Sequence, residues 1–283
     1  MMKRIIIQLS SYCDCVCPGC YNYRTSGKMI ESDDLLMFLS HLKKHCEVSS
    51  LTLSGGEPLL RKDIVDIVYR LKTMGFHLKI DTTGLQLINR FSTKDIENIF
   101  QHIDCIGIPI DGSNDFIIEH YRKGIGINEI KKILQVIQSN KGESVKLCVN
   151  TVAHKENLQD LENIYLFWNQ YKFIDEWQVF QYMPIGPGGS TYKKQYEISD
   201  SEFEQICNHL KCKCDSSITF TPKAIADRKN VYILVDSCGN VWKPQQSAEK
   251  QWEFSDNNDK RIILGNVFDK DIIEIIQKEI KNI

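Results

Sequence analysis

Six short apolar runs, each parted from the next by a stretch with helical spacing, fill residues 3–182 of this 283-residue chain. That order constrains the fold most, because strands separated by helices pair in parallel through right-handed crossovers. The runs cover residues 3–9, 51–53, 76–81, 103–110, 145–152 and 177–182. Between them, apolar spacing predicts helices at 32–46, 63–74, 93–101, 128–139 and 157–170. Leu35, Leu36, Leu39 and Leu42 mark one face of the first helix, Ser32 stands where an N-cap belongs, and Gly75 follows the second helix as a C′ residue. Six units fall short of the eight that close a barrel. An α/β fold is expected over residues 1–183, as a partial (β/α)6 barrel or a doubly wound sheet.

The texture changes after Met183. Pro184, Gly186, Pro187, Gly188 and Gly189 predict a loop, and residues 201–210 a short helix. Residues 231–235 and 241–242 read as a hairpin across Cys238–Gly239–Asn240. A strand at 261–264 and a closing helix at 271–280 complete a C-terminal α+β extension, residues 184–283, expected to cover the barrel mouth.

Eleven cysteines stand in a chain long enough to bury a core without covalent staples. The start, MMKRIIIQLSS, has only three consecutive isoleucines, too few for the apolar part of a secretory signal, and no later run reaches spanning length. A cytoplasmic protein with reduced thiols is expected. The net charge of −2, with lysines and carboxylates interspersed, gives no footing for nucleic acid or an anionic membrane.

In SYCDCVCPGCYN, Cys13, Cys17 and Cys20 are spaced C-x3-C-x2-C just after the first strand. Thiolate sulfur is the ligand type of iron–sulfur clusters and of zinc. Three thiolates leave one iron of a cluster open to a further ligand; the alternative is a zinc knuckle with Cys15 as fourth ligand. A second motif, Ser54–Gly55–Gly56–Glu57–Pro58 in LTLSGGEPLLR, ends the second strand. Its glycines let backbone approach a ligand where a Cβ would intrude.

Together with the sixfold strand–helix order, these motifs resemble the radical S-adenosylmethionine (SAM) enzymes over residues 1 to about 182. The resemblance implies a radical SAM barrel and a [4Fe–4S] cluster on Cys13, Cys17 and Cys20, whose open iron binds the amino and carboxylate groups of SAM. It places the SAM amino group at the GGEP segment, against backbone carbonyls and Glu57. It puts polar contacts at Asp81 and Thr83 after the third strand and at Asp111 after the fourth. Arg122, in HYRKG, matches a basic residue paired with the SAM carboxylate, the alternative being a surface arginine at a helix start. Asn150 matches a ribose contact. Relatives often stack an aromatic residue on adenine just before the third cysteine; here Gly19 stands there and Tyr21 follows, for adenine stacking or for a loop role.

Other cysteines stay open. Cys105 and Cys148 lie in apolar strands and are expected as core thiols. Cys207, Cys212, Cys214 and Cys238 hold either an auxiliary cluster or free thiols. Cys238, at the hairpin tip, alternatively serves as a catalytic hydrogen-atom donor facing the substrate.

The resemblance further implies a 5′-deoxyadenosyl radical that abstracts hydrogen from a substrate carbon. The chain resembles the queuine lyases, which release a deazapurine amine by carbon–nitrogen cleavage. Gln178, Gln181, Tyr182 and Asp111 would then read the base edge. WQVFQ, EISDSEFE and YILVD, in that order, resemble viperin-like nucleotide-modifying enzymes. Peptide modification is the third reading, against which stands the missing dense cysteine pattern. The expected partners are a small-molecule substrate, a nucleobase or nucleotide analogue, and an electron donor such as flavodoxin or ferredoxin.

Overall fold

The computed structural model describes residues 4–22, 27–228, 232–244 and 261–281. Lys3 and Val231, where two expected strands begin, lie outside the described residues. The strands are β1 (Arg4–Gln8), β2 (Ser50–Ser54), β3 (His77–Asp81), β4 (Cys105–Pro109), β5 (Lys146–Ala153), β6 (Glu176–Gln181), β7 (Thr219–Lys223), β8 (Tyr232–Val235), β9 (Asn240–Pro244) and β10 (Arg261–Asn266). The helices are α1 (Ser32–Cys46), α2 (Ile64–Thr73), α3 (Leu85–Asn89), α4 (Thr93–Gln101), α5 (Asp115–Tyr121), α6 (Ile127–Asn140), α7 (Leu161–Asn169), α8 (Gly186–Thr191), α9 (Lys193–Tyr196), α10 (Asp200–Lys213) and α11 (Ile272–Lys281).

All ten strands join one sheet in the order β10-β9-β8-β1-β2-β3-β4-β5-β6-β7. Strands β1 to β7 run parallel, as the crossovers require. The C-terminal region extends this sheet at both edges. β7 pairs with β6, while β8 pairs in parallel with β1 and leads antiparallel β9 and β10. The sequence hides β7 because Pro222 interrupts it. At the edge of the sheet a missing N–H is tolerated.

Two smaller expectations are also revised. Ser32 is the first residue of α1, not its cap, and its hydroxyl donates to Asp63. The PIGPGG loop contains the six-residue helix α8, with Pro187 in its first turn, where a missing N–H costs nothing. Real capping boxes open α4 (Ser92 with Asp95) and α10 (Ser199 with Glu202).

Side chains alternate across a strand, so one set packs under the helices and the other faces away. Ile5, Ile7, Leu51, Leu53, Leu78, Ile80, Ile106, Ile108, Leu147, Val149, Trp177 and Val179 make the buried set, each at most 1% exposed. The opposite set is mainly polar, with Gln8, Thr52, Ser54, Lys79, Asp81, Cys148, Asn150, Glu176 and Gln178 beside the apolar Ile6, Val152 and Phe180. A parallel sheet covered by helices on both faces would be apolar on both. This one keeps a polar inner face, onto whose C-terminal rim the cysteine and GGEP loops open. Among the described residues, no helix is long and apolar enough to cross a membrane.

Candidate active site

The cysteine loop leaves the end of β1 and is tied down on two sides. Val16 N donates to the Lys123 carbonyl at 2.8 Å, which joins the loop to the segment after α5. Asp14 accepts from the Thr83 hydroxyl at 3.2 Å and from Gln86 Nε2 at 2.9 Å, which joins it to the end of β3. Cys13, Cys17 and Cys20 stay partly exposed, whereas Cys15 is 2% exposed and packed into the core. Cys15 is therefore the most buried thiol of the loop, although it stays in hydrogen-bond contact with Cys13. Hydrogen bonding from Cys15 holds the Cys13 thiol below its usual range. Burial pushes Cys17 up to about 12, against the pull of Arg122. Among the described residues, no three His, Cys, Asp or Glu side chains close around a single metal ion. Three partly exposed thiols beside a buried Cys15 suit the open-iron cluster better than a closed structural zinc.

The GGEP loop lies directly against this cysteine loop. Gly56 N donates to the Ser10 carbonyl at 2.6 Å and Glu57 N to the Tyr12 carbonyl at 2.7 Å. Glu57 itself plays a different part from the one expected. Its carboxylate is 0% exposed and accepts from Leu59 N, Thr83 N and both threonine hydroxyls of Thr82 and Thr83, at 2.5 to 2.9 Å. Four donors fill the capacity of a carboxylate. Glu57 thus clamps the β2 loop to the β3 loop and has no lone pair to offer an ammonium group. Thr83 serves the same clamp, so its polar groups are spent within the protein.

Arg122 is mostly enclosed, its side chain 17% exposed, and is not a surface arginine. It grips Asp111 Oδ2 through Nε and Nη2, both at 2.7 Å, and its Nη1 donates to Cys17 Sγ at 3.4 Å. Burial works against this charge, but Asp111 outweighs it and keeps the guanidinium protonated. Asp111 is 1% exposed and also accepts from Val152 N at 2.8 Å. It is a buried counter-ion, not a reader of a base edge. Arg122 thus stands beside the cysteine loop, with Asp111 holding it there.

The inner face carries a second cluster. Asp81 meets Asn150 Nδ2 at 2.9 Å and Lys79 Nζ at 2.9 Å. The carboxylate reaches Asn150 across Gly107, where a Cβ would stand 2.1 Å from Asp81 Oδ1 and 2.6 Å from Asn150 Nδ2. Cys148 Sγ donates to Asn150 Oδ1 at 3.3 Å. Cys105 and Cys148 are buried, but they face this polar side instead of the apolar core; Lys79 acts on both. Burial pushes the Cys105 thiol up to about 11. Next along, Gln178 is 4% exposed; its Nε2 donates to Glu176 at 2.9 Å, while its Oε1 is buried without any partner.

Gln181 and Tyr182, expected beside Gln178, serve the fold. Gln181 is spent on Asp200, Ile198 and Ile225, and the Tyr182 hydroxyl donates to the Gly189 carbonyl at 2.7 Å. Gln181 does not face inward, since it shares the helix-side register of Trp177 and Val179, whereas the Tyr182 ring packs at the cysteine loop beside Gly19. The Tyr21 hydroxyl meets the Ser54 side chain, and burial raises its pKa. That tie favours the loop role. Cys238 sits in the β8–β9 turn, its thiol 2.9 Å from the position of a Cβ on Gly27. Cys207 and Cys214 pack with α10 into the core and Cys212 is exposed, so they do not converge with Cys238.

Residues 7–167, more than half of the chain, match the Radical SAM superfamily. Among related proteins, a probable GTP 3′,8-cyclase of Saccharolobus islandicus is 24% identical over 206 residues, 71% of this chain and 64% of that protein. An S-adenosylmethionine-dependent nucleotide dehydratase of Flammeovirga pacifica is 28% identical over 198 residues, covering 69% and 64%. The chain thus spans a little under two thirds of these relatives' length. Among solved structures, Streptococcus suis SuiB bound to S-adenosylmethionine superposes with a TM-score of 0.75 at 17% identity, over 98% of this chain and 66% of that one. anSMEcpe with bound AdoMet and a peptide gives 0.70 at 14% identity, over 99% and 82%. At such identities these two establish the fold.

Proposed function

The chain belongs to the radical SAM superfamily, whose cofactors are a [4Fe–4S] cluster and S-adenosylmethionine; from that membership we infer that it abstracts hydrogen from a small purine-like substrate of the nucleotide class. Cys13, Cys17 and Cys20 would hold the cluster. When bound, the cluster and SAM supply a 5′-deoxyadenosyl radical. This chain's own residues orient and shield. Arg122 brings a positive charge to the cysteine loop, Asp81 and Asn150 present polar groups on the rim, and the Glu57 clamp holds the loops that face SAM.

One observation carries the substrate reading: the inner face is polar and includes Gln178, whose buried Oε1 has no partner. A buried acceptor left unpaired costs about 1–3 kcal/mol, so a donor from a bound molecule gains that much there. The N–H edge of a purine-like base is such a donor. The nucleotide-acting names among the relatives support this class. Queuine-lyase-type carbon–nitrogen cleavage acts on the same kind of base, and it stands as the second reading.

Two measurements test this. Anaerobically reconstituted protein should bind iron and cleave SAM with dithionite. The triple variant Cys13→Ala, Cys17→Ala, Cys20→Ala should lose both, and Cys15→Ala should keep its iron. For the substrate, a thermal-shift screen of queuine, nucleosides and nucleoside triphosphates separates the readings. Stabilisation by queuine alone would favour the lyase, and stabilisation by none of them would refute the purine-like class.

A further inference from the structure

Two arginines among the described residues are 8% exposed or less, Arg61 and Arg228, and the site's Arg122 has a side chain that is 17% exposed. Arg61 rests on Asp63 at 2.8 Å and Arg122 on Asp111 at 2.7 Å. Arg228 differs. Its Nη2 donates to the Gln181 carbonyl and its Nε to the Ala224 carbonyl, and among the described residues no carboxylate forms an ion pair with it. Asp227, its neighbour in the chain, acts on it only through space, so this buried guanidinium, hydrogen-bonded to carbonyls alone, is incompletely compensated, and an arriving anion would relieve that cost. Burial alone pulls its pKa down to about 10.

Its position is also informative. Arg228 closes the short 3-10 turn Ala226–Arg228 beyond β7, and its guanidinium lies 5.7 Å from the centroid of the Phe180 ring. Phe180 belongs to the inner register of β6, two residues beyond Gln178 and so about 7 Å further along the strand. One stripe of the inner face therefore presents an unpaired acceptor, an aromatic ring and an unpaired cation, in that order toward the rim. Tyr121, which packs against the cysteine loop at Gly19, is among the groups that act on Arg228.

We propose that Arg228 is the anchor for an anionic group of the substrate, the phosphate of a nucleotide whose base lies toward Gln178. This rests on the purine-like reading above and narrows it, because a neutral free base would leave Arg228 without a counter-ion. A guanidinium binds phosphate through paired N–H donors, which a lysine ammonium reproduces only as a point charge.

The test is calorimetric binding of guanosine, GMP, GTP and SAM to the anaerobically reconstituted protein and to Arg228→Met, Arg228→Gln and Arg228→Lys. The wild type is expected to bind GTP at least about 10-fold tighter than guanosine, and the Met and Gln variants should lose that preference while keeping guanosine and SAM affinity within about two-fold. Arg228→Lys should recover part of it. Melting temperature separates anchoring from a structural strut. Removing an unpaired buried charge leaves the ligand-free Arg228→Met variant at least as stable as the wild type, whereas a strut would be missed. Three results would overturn the proposal: an intact preference for GTP in Arg228→Met, a loss confined to SAM, or a fall in melting temperature with the preference retained. If the wild type binds guanosine but gains nothing from phosphate, the anchor is wrong and the purine-like reading survives. If it binds none of the guanine ligands and no other nucleotide, both fall.

Discussion

Replacing Gly56 with alanine probes the seam on which the whole site depends. A Cβ there would stand 2.0 Å from the Tyr12 carbonyl oxygen, 2.5 Å from its carbon and 3.1 Å from Cys13 N. These are backbone atoms and cannot swing aside. Reaching an ordinary contact of 3.4 Å requires the cysteine loop to retreat by about 1.4 Å from the GGEP loop. The bond from Glu57 N to the Tyr12 carbonyl, now 2.7 Å, would then be lost, and that from Gly56 N to Ser10 at 2.6 Å would be strained. Two backbone hydrogen bonds at about 1 kcal/mol each, with about 1–3 kcal/mol for overpacking, come to roughly 3–5 kcal/mol. The alanine offsets up to about 1 kcal/mol of that by restricting the unfolded chain. Urea denaturation of the cluster-free protein should show a lower midpoint at an unchanged slope. Iron content after reconstitution should fall as well, since Cys13 adjoins the displaced peptide. Gly142→Ala, with nothing within 4 Å of its Cβ, is the control and should stay within about 0.5 kcal/mol of wild type. A Gly56→Ala protein with the wild-type midpoint and full iron would refute this account of the seam.

Further outcomes follow from the two buried carboxylates. Burial raises Glu57 from 4.5 to about 7, so the folded chain keeps a proton that the unfolded chain has released. The stability it contributes is complete below about pH 4.5 and is lost as pH rises through 7, by roughly 3 kcal/mol at 1.36 kcal/mol per unit. Glu57→Gln should remove that slope from the stability–pH profile of the cluster-free protein; parallel profiles would contradict it. Asp111→Asn strands Arg122 without its counter-ion beside a 0% exposed side chain, and denaturation should show a loss of about 3–5 kcal/mol. Adding Arg122→Met should restore part of the loss, and no recovery would argue against the ion pair as its source.

Much of this molecule is written locally. Residues 32–46 fold as the helix their leucine spacing demands, and all six core strands appear where apolar runs stood. C-x3-C-x2-C and GGEP occupy loops at the strand C-termini because each follows a strand directly. What the sequence could not supply is the direction and company of single side chains. Cys105 and Cys148 look apolar in their strands, yet they face Lys79 across the sheet, because only the finished stack of helices decides which face of a strand is covered. Glu57 looked free to meet a ligand until the ends of β2 and β3 came together and filled it with four donors. Gln178 and Gln181 are the same residue type on one strand. An odd separation in register puts one toward the site and the other under the helices. Arg228 carried no motif at all; its meaning comes from its burial without an ion pair to any carboxylate among the described residues once β6, β7 and the sheet are assembled. Periodicity and short motifs are set by neighbours along the chain, so sequence alone determined the six core strands with the long helices between them, the radical SAM resemblance and the cysteine triad. Burial and pairing depend on residues tens of positions apart, so only the tertiary structure decided which polar groups are spent and which remain for a substrate.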